Sequence, residues 1–332
     1  MGSTEPRSLA IDVHTHLAPA LDTGTPPEFG VSRNEEGLVL LDGKAVGPLP
    51  LYHPDRLLAH LDEQALDVAF VSVPPPFFRQ HANPDRTQEW VDALNVGILS
   101  ACSGDDRLRP LAYVPFENPK AAAQTVRTHL EDDAFAGWVG AAGGRSVALD
   151  SPELAETWHL LAADGRPIML HPAESPDERL AAHYLHNLLG NPVETGVAVA
   201  QLVLGGVLAA NPHLRIVLVH CGGVVPSVAA RWQRGLDTAR PGLDASTLPP
   251  VASMLRTLYA DCLTHDSANV DLARHVFGDD RLLLGSDWPF PMGLEDPREP
   301  IAHLSPALQD QIARVNPSRL TAAHQPLSLG AR

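Results

Sequence analysis

Eight short apolar runs recur along the chain, at 9–13 (LAIDV), 67–73 (DVAFVSV), 108–115 (LRPLAYVP), 136–141 (AGWVGA), 167–170 (PIML), 214–219 (LRIVLV), 257–262 (TLYADC) and 281–285 (RLLLG). Between them lie segments with helical spacing at 54–65, 86–101, 118–131, 151–163, 194–210, 222–237 and 266–277, and 297–315 follows the last run. Strands buried on both faces lose polar alternation and need crossover helices, so this order predicts an α/β fold, a (β/α)8 TIM barrel. Length alone also allows two ordinary domains, but no repeat, linker or composition shift divides the 332 residues, and 1–332 reads as a single barrel domain.

Residues 20–53 interrupt the rhythm with a long, Pro-rich connection after the first run. Within it, LVLLDGKAV carries Asp42–Gly43, a two-residue hairpin signal because a type I′ turn needs positive φ at both central positions. An inserted hairpin near the barrel mouth is expected, either a lid or a decoration. Residues 325–332 (QPLSLGAR) read as a frayed tail.

A formal charge of −16 and no basic run disfavour binding to nucleic acid or to an anionic membrane surface. An anionic small molecule must therefore be held by local cations. Cys102, Cys221 and Cys262 are odd in number and scattered, which points to a reducing compartment rather than a disulfide framework. The polar opening MGSTEPRS lacks an apolar signal core, and the longest apolar stretch, 197–210, is too short to span a bilayer. A cytoplasmic protein is expected.

Polar residues of one chemical type fall at the C-terminal ends of these runs. His14 and His16 close the first and share a face, since strand side chains alternate with period two. His171 ends the fifth, His220 the sixth and Asp287 the eighth. In a barrel these ends meet on the face where active sites are built. Three neutral imidazoles and a carboxylate suit one divalent ion, with Zn²⁺ ahead of Mn²⁺. Two-metal barrels bridge their ions with a carboxylated lysine on strand four, but the two lysines, Lys44 and Lys120, lie elsewhere, so one ion and no organic cofactor is expected. Phe77, Phe78, Trp138, Trp288 and Phe290 follow or end strands and are candidates for an aromatic pocket, Trp288 first. Glu174 is a candidate for orienting a ligand. His183 and His186 lie outside the strand ends and read as surface or packing residues.

These motifs resemble the amidohydrolase superfamily, in the branch of α-amino-β-carboxymuconate-ε-semialdehyde decarboxylase and γ-resorcylate decarboxylase. The likeness runs from about residue 10 to 324 through DVHTHL, HPDRLLAHLDEQALDVAFVSV, IMLHPAE, the stretch from HYLHNLLG to VAARW, LLLGSDWPFP and VNPSRL. It implies that His14, His16, His171 and Asp287 bind the metal, and that His220 stands beside them as a general acid or base. Arg231 in AARW matches an arginine that contacts the substrate carboxylate. Asn187 stands where the aminocarboxymuconate enzyme has a tryptophan, and the second substrate arginine has no clear counterpart, although Arg33 and Lys44 are cations of the same region.

The reaction expected is decarboxylation of a small unsaturated or aromatic carboxylic acid, with the metal as Lewis acid and His220 or Asp287 handling the proton. The alternative is hydrolysis of a lactone, amide or ester by metal-bound hydroxide. The resemblance also implies a homodimer.

Overall fold

The computed structural model describes residues 8–21, 29–80, 83–244 and 246–321. Strand β1 (Ile11–His16) is followed by an inserted antiparallel sheet of β2 (Val31–Arg33), β3 (Val39–Leu41) and β4 (Lys44–Ala45). The regular alternation then begins: α1 (Pro54–Glu63), β5 (Val68–Ser72), α2 (Thr87–Cys102), β6 (Leu108–Val114), α3 (Pro119–His129), β7 (Gly137–Ala142), α4 (Ala155–Asp164) and β8 (Ile168–Pro172). Next come α5 (Asn191–Leu204), α6 (Val207–Ala210), β9 (Ile216–Leu218), α7 (Val225–Asp237), α8 (Val251–Leu255), β10 (Tyr259–Asp261), α9 (Ser267–Phe277), β11 (Leu282–Leu283), α10 (Pro306–Asp310) and α11 (Asn316–Thr321).

The eight parallel strands run in the order β1-β5-β6-β7-β8-β9-β10-β11. Closure is made by backbone bonds from Val13 N to Leu284 O at 3.0 Å, Asp287 N to His14 O at 2.8 Å and His16 N to Trp288 O at 2.9 Å. The barrel seam thus runs through the two chain segments that carry most of the polar strand-end residues. All positions of β1, β5, β7 and β8 are buried, which explains why these runs read as continuous apolar sequence.

The helices form where amphipathic spacing and caps coincide. Helix α1 starts at Pro54 and buries Leu57, His60 and Leu61, one stripe at i, i+3, i+4, each leucine worth about 1.5–3 kcal/mol on burial. Asn118 caps α3 and Asp266 caps α9 through side-chain acceptors. The predicted 194–210 helix is instead two helices, α5 and α6, divided where Gly206 takes φ +80°. The predicted 297–315 helix is also different: a 3₁₀ turn at Glu299–Ile301, then α10 and a π turn leading into α11.

The predicted hairpin turn forms at Asp42 and Gly43, with φ of +50° and +77°. Residues 22–28 of the insertion and the predicted tail at 325–332 lie outside the described residues.

Candidate active site

The strand-end side chains converge on one point. His14, His16, His171 and Asp287 are buried, and His220 is partly exposed. From Asp287 Oδ1, His16 Nε2 is 3.0 Å and His14 Nε2 is 3.4 Å away, while His220 Nε2 is 3.8 Å from Oδ2. The ring centroids of His14, His16 and His171 are 5.1–5.2 Å apart, edge to face.

One donor atom from each of His14, His171, His220 and Asp287 lies within 4.8 Å of the others, a group that holds His220 where the sequence predicts His16. The second ring nitrogens separate the two. His171 Nδ1 lies 2.9 Å from the Pro172 carbonyl, which can only accept, so the proton is on Nδ1 and Nε2 keeps its lone pair. His14 Nδ1 is fixed in the same way by the Asp261 carboxylate at 2.8 Å. Ser72 Oγ donates to Thr15 O at 3.4 Å, which leaves it to accept from His16 Nδ1 at 3.0 Å. The Nε2 atoms of His14, His16 and His171 and Oδ1 of Asp287 are then buried without a hydrogen-bond partner among the described residues. Four unsatisfied donors of these types, converging, match the chemistry of a divalent metal site. His220 differs, because its Nδ1 is the buried atom without a partner, so no hydrogen bond among the described residues fixes its tautomer through that nitrogen.

Two carboxylates that the sequence reading missed hold this arrangement. Asp261 orients His14 through Oδ2, and its Oδ1 accepts from Cys221 N at 2.8 Å and Leu263 N at 3.1 Å. The bond to Cys221 steadies a left-handed turn, with φ of +54° at His220 and +56° at Cys221. Asp12 accepts from His14 N, Ser286 N and Ser286 Oγ, the last at 2.6 Å, and so ties β1 to the loop of Asp287. Gly285 makes this crossing possible, since a Cβ there would stand 2.7 Å from that of Asp261 and 3.0 Å from that of His14. Asp261 was within reach of the sequence, because it lies at the C-terminal end of the TLYADC run, one residue before its last, much as His220 directly follows its own run.

Burial holds His171 well below the usual imidazole range, with the neighbouring histidines acting in the same direction. Burial also lowers His16, against the pull of Asp287. For His14 burial is outweighed by the carboxylates of Asp287 and Asp261, and the net shift is upward. Burial would raise Asp287, but His14, His16 and His220 outweigh it and keep the carboxyl well below its ordinary value. Asp12 is raised to about 6 by burial, with hydrogen bonds from Ser286 and His14 opposing.

A two-armed cavity opens over the cluster, and His220, Asp287, Asn187, Asn191 and Met292 line both arms. The larger arm, about 580 Å³, reaches Phe78, Arg79, Arg145, Glu174, His186 and Phe290. The smaller, about 360 Å³, is walled by Cys221, Ser227, Thr264, His265 and Asn269. Phe290 lies 5.3 Å from the His16 ring, and Phe78 stacks on Tyr113 at 4.6 Å.

The remaining predicted residues divide. Asn187 and Phe290 reach the cavity wall. Trp288 does not: the left-handed Asp287 (φ +58°) breaks strand alternation, and the indole packs 6.1 Å from His60. Phe77 and Trp138 are core. Glu174 lines the cavity, but the ring nitrogens are oriented by Asp261, Ser72 and Pro172. His183 is exposed as predicted, whereas His186 lines the cavity, because left-handed turns at His183 and Tyr184 and a π turn over His186–Gly190 replace the regular helix. Arg231 is exposed on α7 and is not among the cavity-lining residues. Arg33 binds the Gly37 and Leu21 carbonyls, and Lys44 is exposed on β4.

A parallel eight-stranded barrel with three histidines and an aspartate gathered at its strand ends defines the class, and the amidohydrolase family profile matches residues 11–320: the chain belongs to that family. Its relatives include the 2-amino-3-carboxymuconate-6-semialdehyde decarboxylase of Dictyostelium discoideum, 26% identical over 300 residues, covering 86% of this chain and 83% of that protein. The γ-resorcylate decarboxylase of Rhodococcus jostii is 24% identical over 262 residues, covering 71% and 77%. A dihydroxybenzoic acid decarboxylase structure from Polaromonas sp. JS666, with bound manganese and the inhibitor 2-nitroresorcinol, shares the fold with a TM-score of 0.76 at 20% identity, covering 95% of this chain and 97% of that one.

Proposed function

We propose that the protein is a divalent-metal-dependent decarboxylase of a small aromatic or unsaturated carboxylic acid. The observation that carries this reading is the convergence of three buried, partnerless Nε2 atoms with Asp287 beneath a cavity that also holds His220. His14, His16, His171 and Asp287 would hold the ion, which when bound would supply a Lewis acid that polarises the substrate and stabilises the negative charge left as CO₂ departs. His220, partly exposed and with no hydrogen bond among the described residues fixing its tautomer through Nδ1, can hold a proton at Nε2 and deliver it to the carbon that loses CO₂. The electron pair of the broken carbon–carboxylate bond becomes the new C–H bond. Phe78 and Phe290 offer flat apolar walls suited to a planar substrate and keep water from the proton transfer.

Three imidazoles and one carboxylate favour zinc, although manganese is what the Polaromonas structure holds, and elemental analysis of the purified protein decides between them. Arg231, exposed and off its own cavity, can meet a substrate carboxylate only across a subunit interface, so its assignment goes together with a homodimer. Support for such an interface comes from the exposed apolar Tyr184, Leu188, Leu189, Val193 and Val197 on the turn before α5 and on α5 itself. Light scattering reads the state directly. The free thiols of Cys102, Cys221 and Cys262 are compatible with the cytoplasm.

The test is to follow CO₂ while the metal-analysed protein meets a panel of aromatic acids, muconate-type acids and lactones. Release of CO₂ from an acid is expected. Turnover of lactones or esters with no CO₂ from any acid would make the protein a hydrolase and overturn the reading.

A further inference from the structure

The larger arm of the cavity holds two guanidinium groups in very different circumstances. Arg79 is committed: it pairs with Asp42 at 2.9 Å, binds the Phe29 carbonyl and lies 5.4 Å over the Trp90 ring. Arg145 is exposed on the cavity wall, and its guanidinium makes no hydrogen bond or ion pair with the described residues. Its backbone, by contrast, is held from several sides. Gly143 and Gly144 take φ of +75° and +64°, and Gly144 N donates to the Glu194 carboxylate at 2.7 Å. Gln80 accepts from Arg145 N at 2.8 Å and donates to Ser146 Oγ at 2.7 Å. A fixed loop therefore presents a free cation inside the cavity that contains His171, His220 and Asp287, in a chain whose net charge is −16.

We propose that Arg145 reads a second anionic group of the substrate, so that the preferred acid carries a negatively charged substituent in addition to the carboxylate it loses. This rests on the decarboxylase reading and specifies its substrate class. A guanidinium matches a carboxylate in charge and in its planar, two-pronged geometry. Glu174 and Glu178 line the same arm and pair with neither arginine, so their carboxylates disfavour an anion in this arm except where it meets a guanidinium. Specificity then has an attractive and a repulsive element.

The probes are benzoate and the three benzenedicarboxylates, titrated calorimetrically into the metal-loaded protein and its Arg145→Gln, Arg145→Lys and Arg56→Gln variants. Arg56 is exposed on α1 and controls for loss of one positive charge. The best-bound diacid should bind more tightly than benzoate, Arg145→Gln should reduce that preference about tenfold, and Arg145→Lys should restore part of it. A preference that survives Arg145→Gln, or that falls equally in Arg56→Gln, overturns the proposal. Binding is read without turnover, so a failure to release CO₂ from any acid would refute the decarboxylase reading while the role of Arg145 was still being decided.

Discussion

Asp287 and His220 face each other across 3.8 Å, yet they should fail in different ways when changed. Asp287→Ala or His171→Ala removes one of four protein donors, and bound metal should drop well below one per chain by elemental analysis. Full retention in both variants would refute the ligand set. His220→Asn leaves those donors in place, so metal should stay near stoichiometric while kcat falls roughly 10²–10⁴-fold. If metal and rate fall together His220 is a ligand, and if both persist with a lower Tm it is structural. Asp261→Asn tests a positioning role: the His14 ring loses its anionic acceptor, and metal affinity measured by chelator competition should fall roughly 10–100-fold. The histidines were legible in sequence because strand periodicity and strand ends are local properties. Asp12 was not, since its partners His60 and Ser286 come from distant segments that no spacing rule connects. Trp288 misled for a related reason, as the left-handed residue before it swaps which neighbour faces the cavity.

At the scale of elements, the hairpin of β3 and β4 reaches the cavity wall through the pair between Asp42 and Arg79. Asp42→Asn keeps a side chain that tolerates positive φ but removes the charge beside Arg79. The pair is partly exposed and worth about 0–1 kcal/mol, so Tm should move little while KM for an anionic substrate falls several-fold as Arg79 is released. An unchanged KM would mark the hairpin as decoration. The turn itself was readable from Asp42–Gly43, and the strands from their apolar runs. The segment from His183 to Gly190 was not, because successive left-handed and π turns rotate the chain out of helical phase and carry His186 into the wall.

For the whole molecule, pH dependence should carry the mark of Glu117, which burial raises to about 7 despite the hydrogen bond donated by Tyr113. The folded state therefore keeps a proton that the unfolded chain releases near the ordinary value of 4.5, and stability contributed by this group falls as pH rises from there towards 7. The loss amounts to as much as about 3 kcal/mol. Glu117→Gln should remove it, so the variant's Tm advantage over the wild type should grow between pH 5 and pH 8. Parallel Tm curves would show that Glu117 titrates normally.

The site lies across the seam where the first and last strands meet, with His14 and Asp261 already 247 residues apart. During synthesis on the ribosome the two N-terminal histidines emerge first and remain incomplete until the segment of Asp287 has left the exit tunnel and closed the barrel. A chain that stopped before Asp287 would lack one donor of the proposed metal site. The proposed coordination sphere is therefore completed only when the two ends of the sheet meet, so its occupancy would report that the barrel seam has closed.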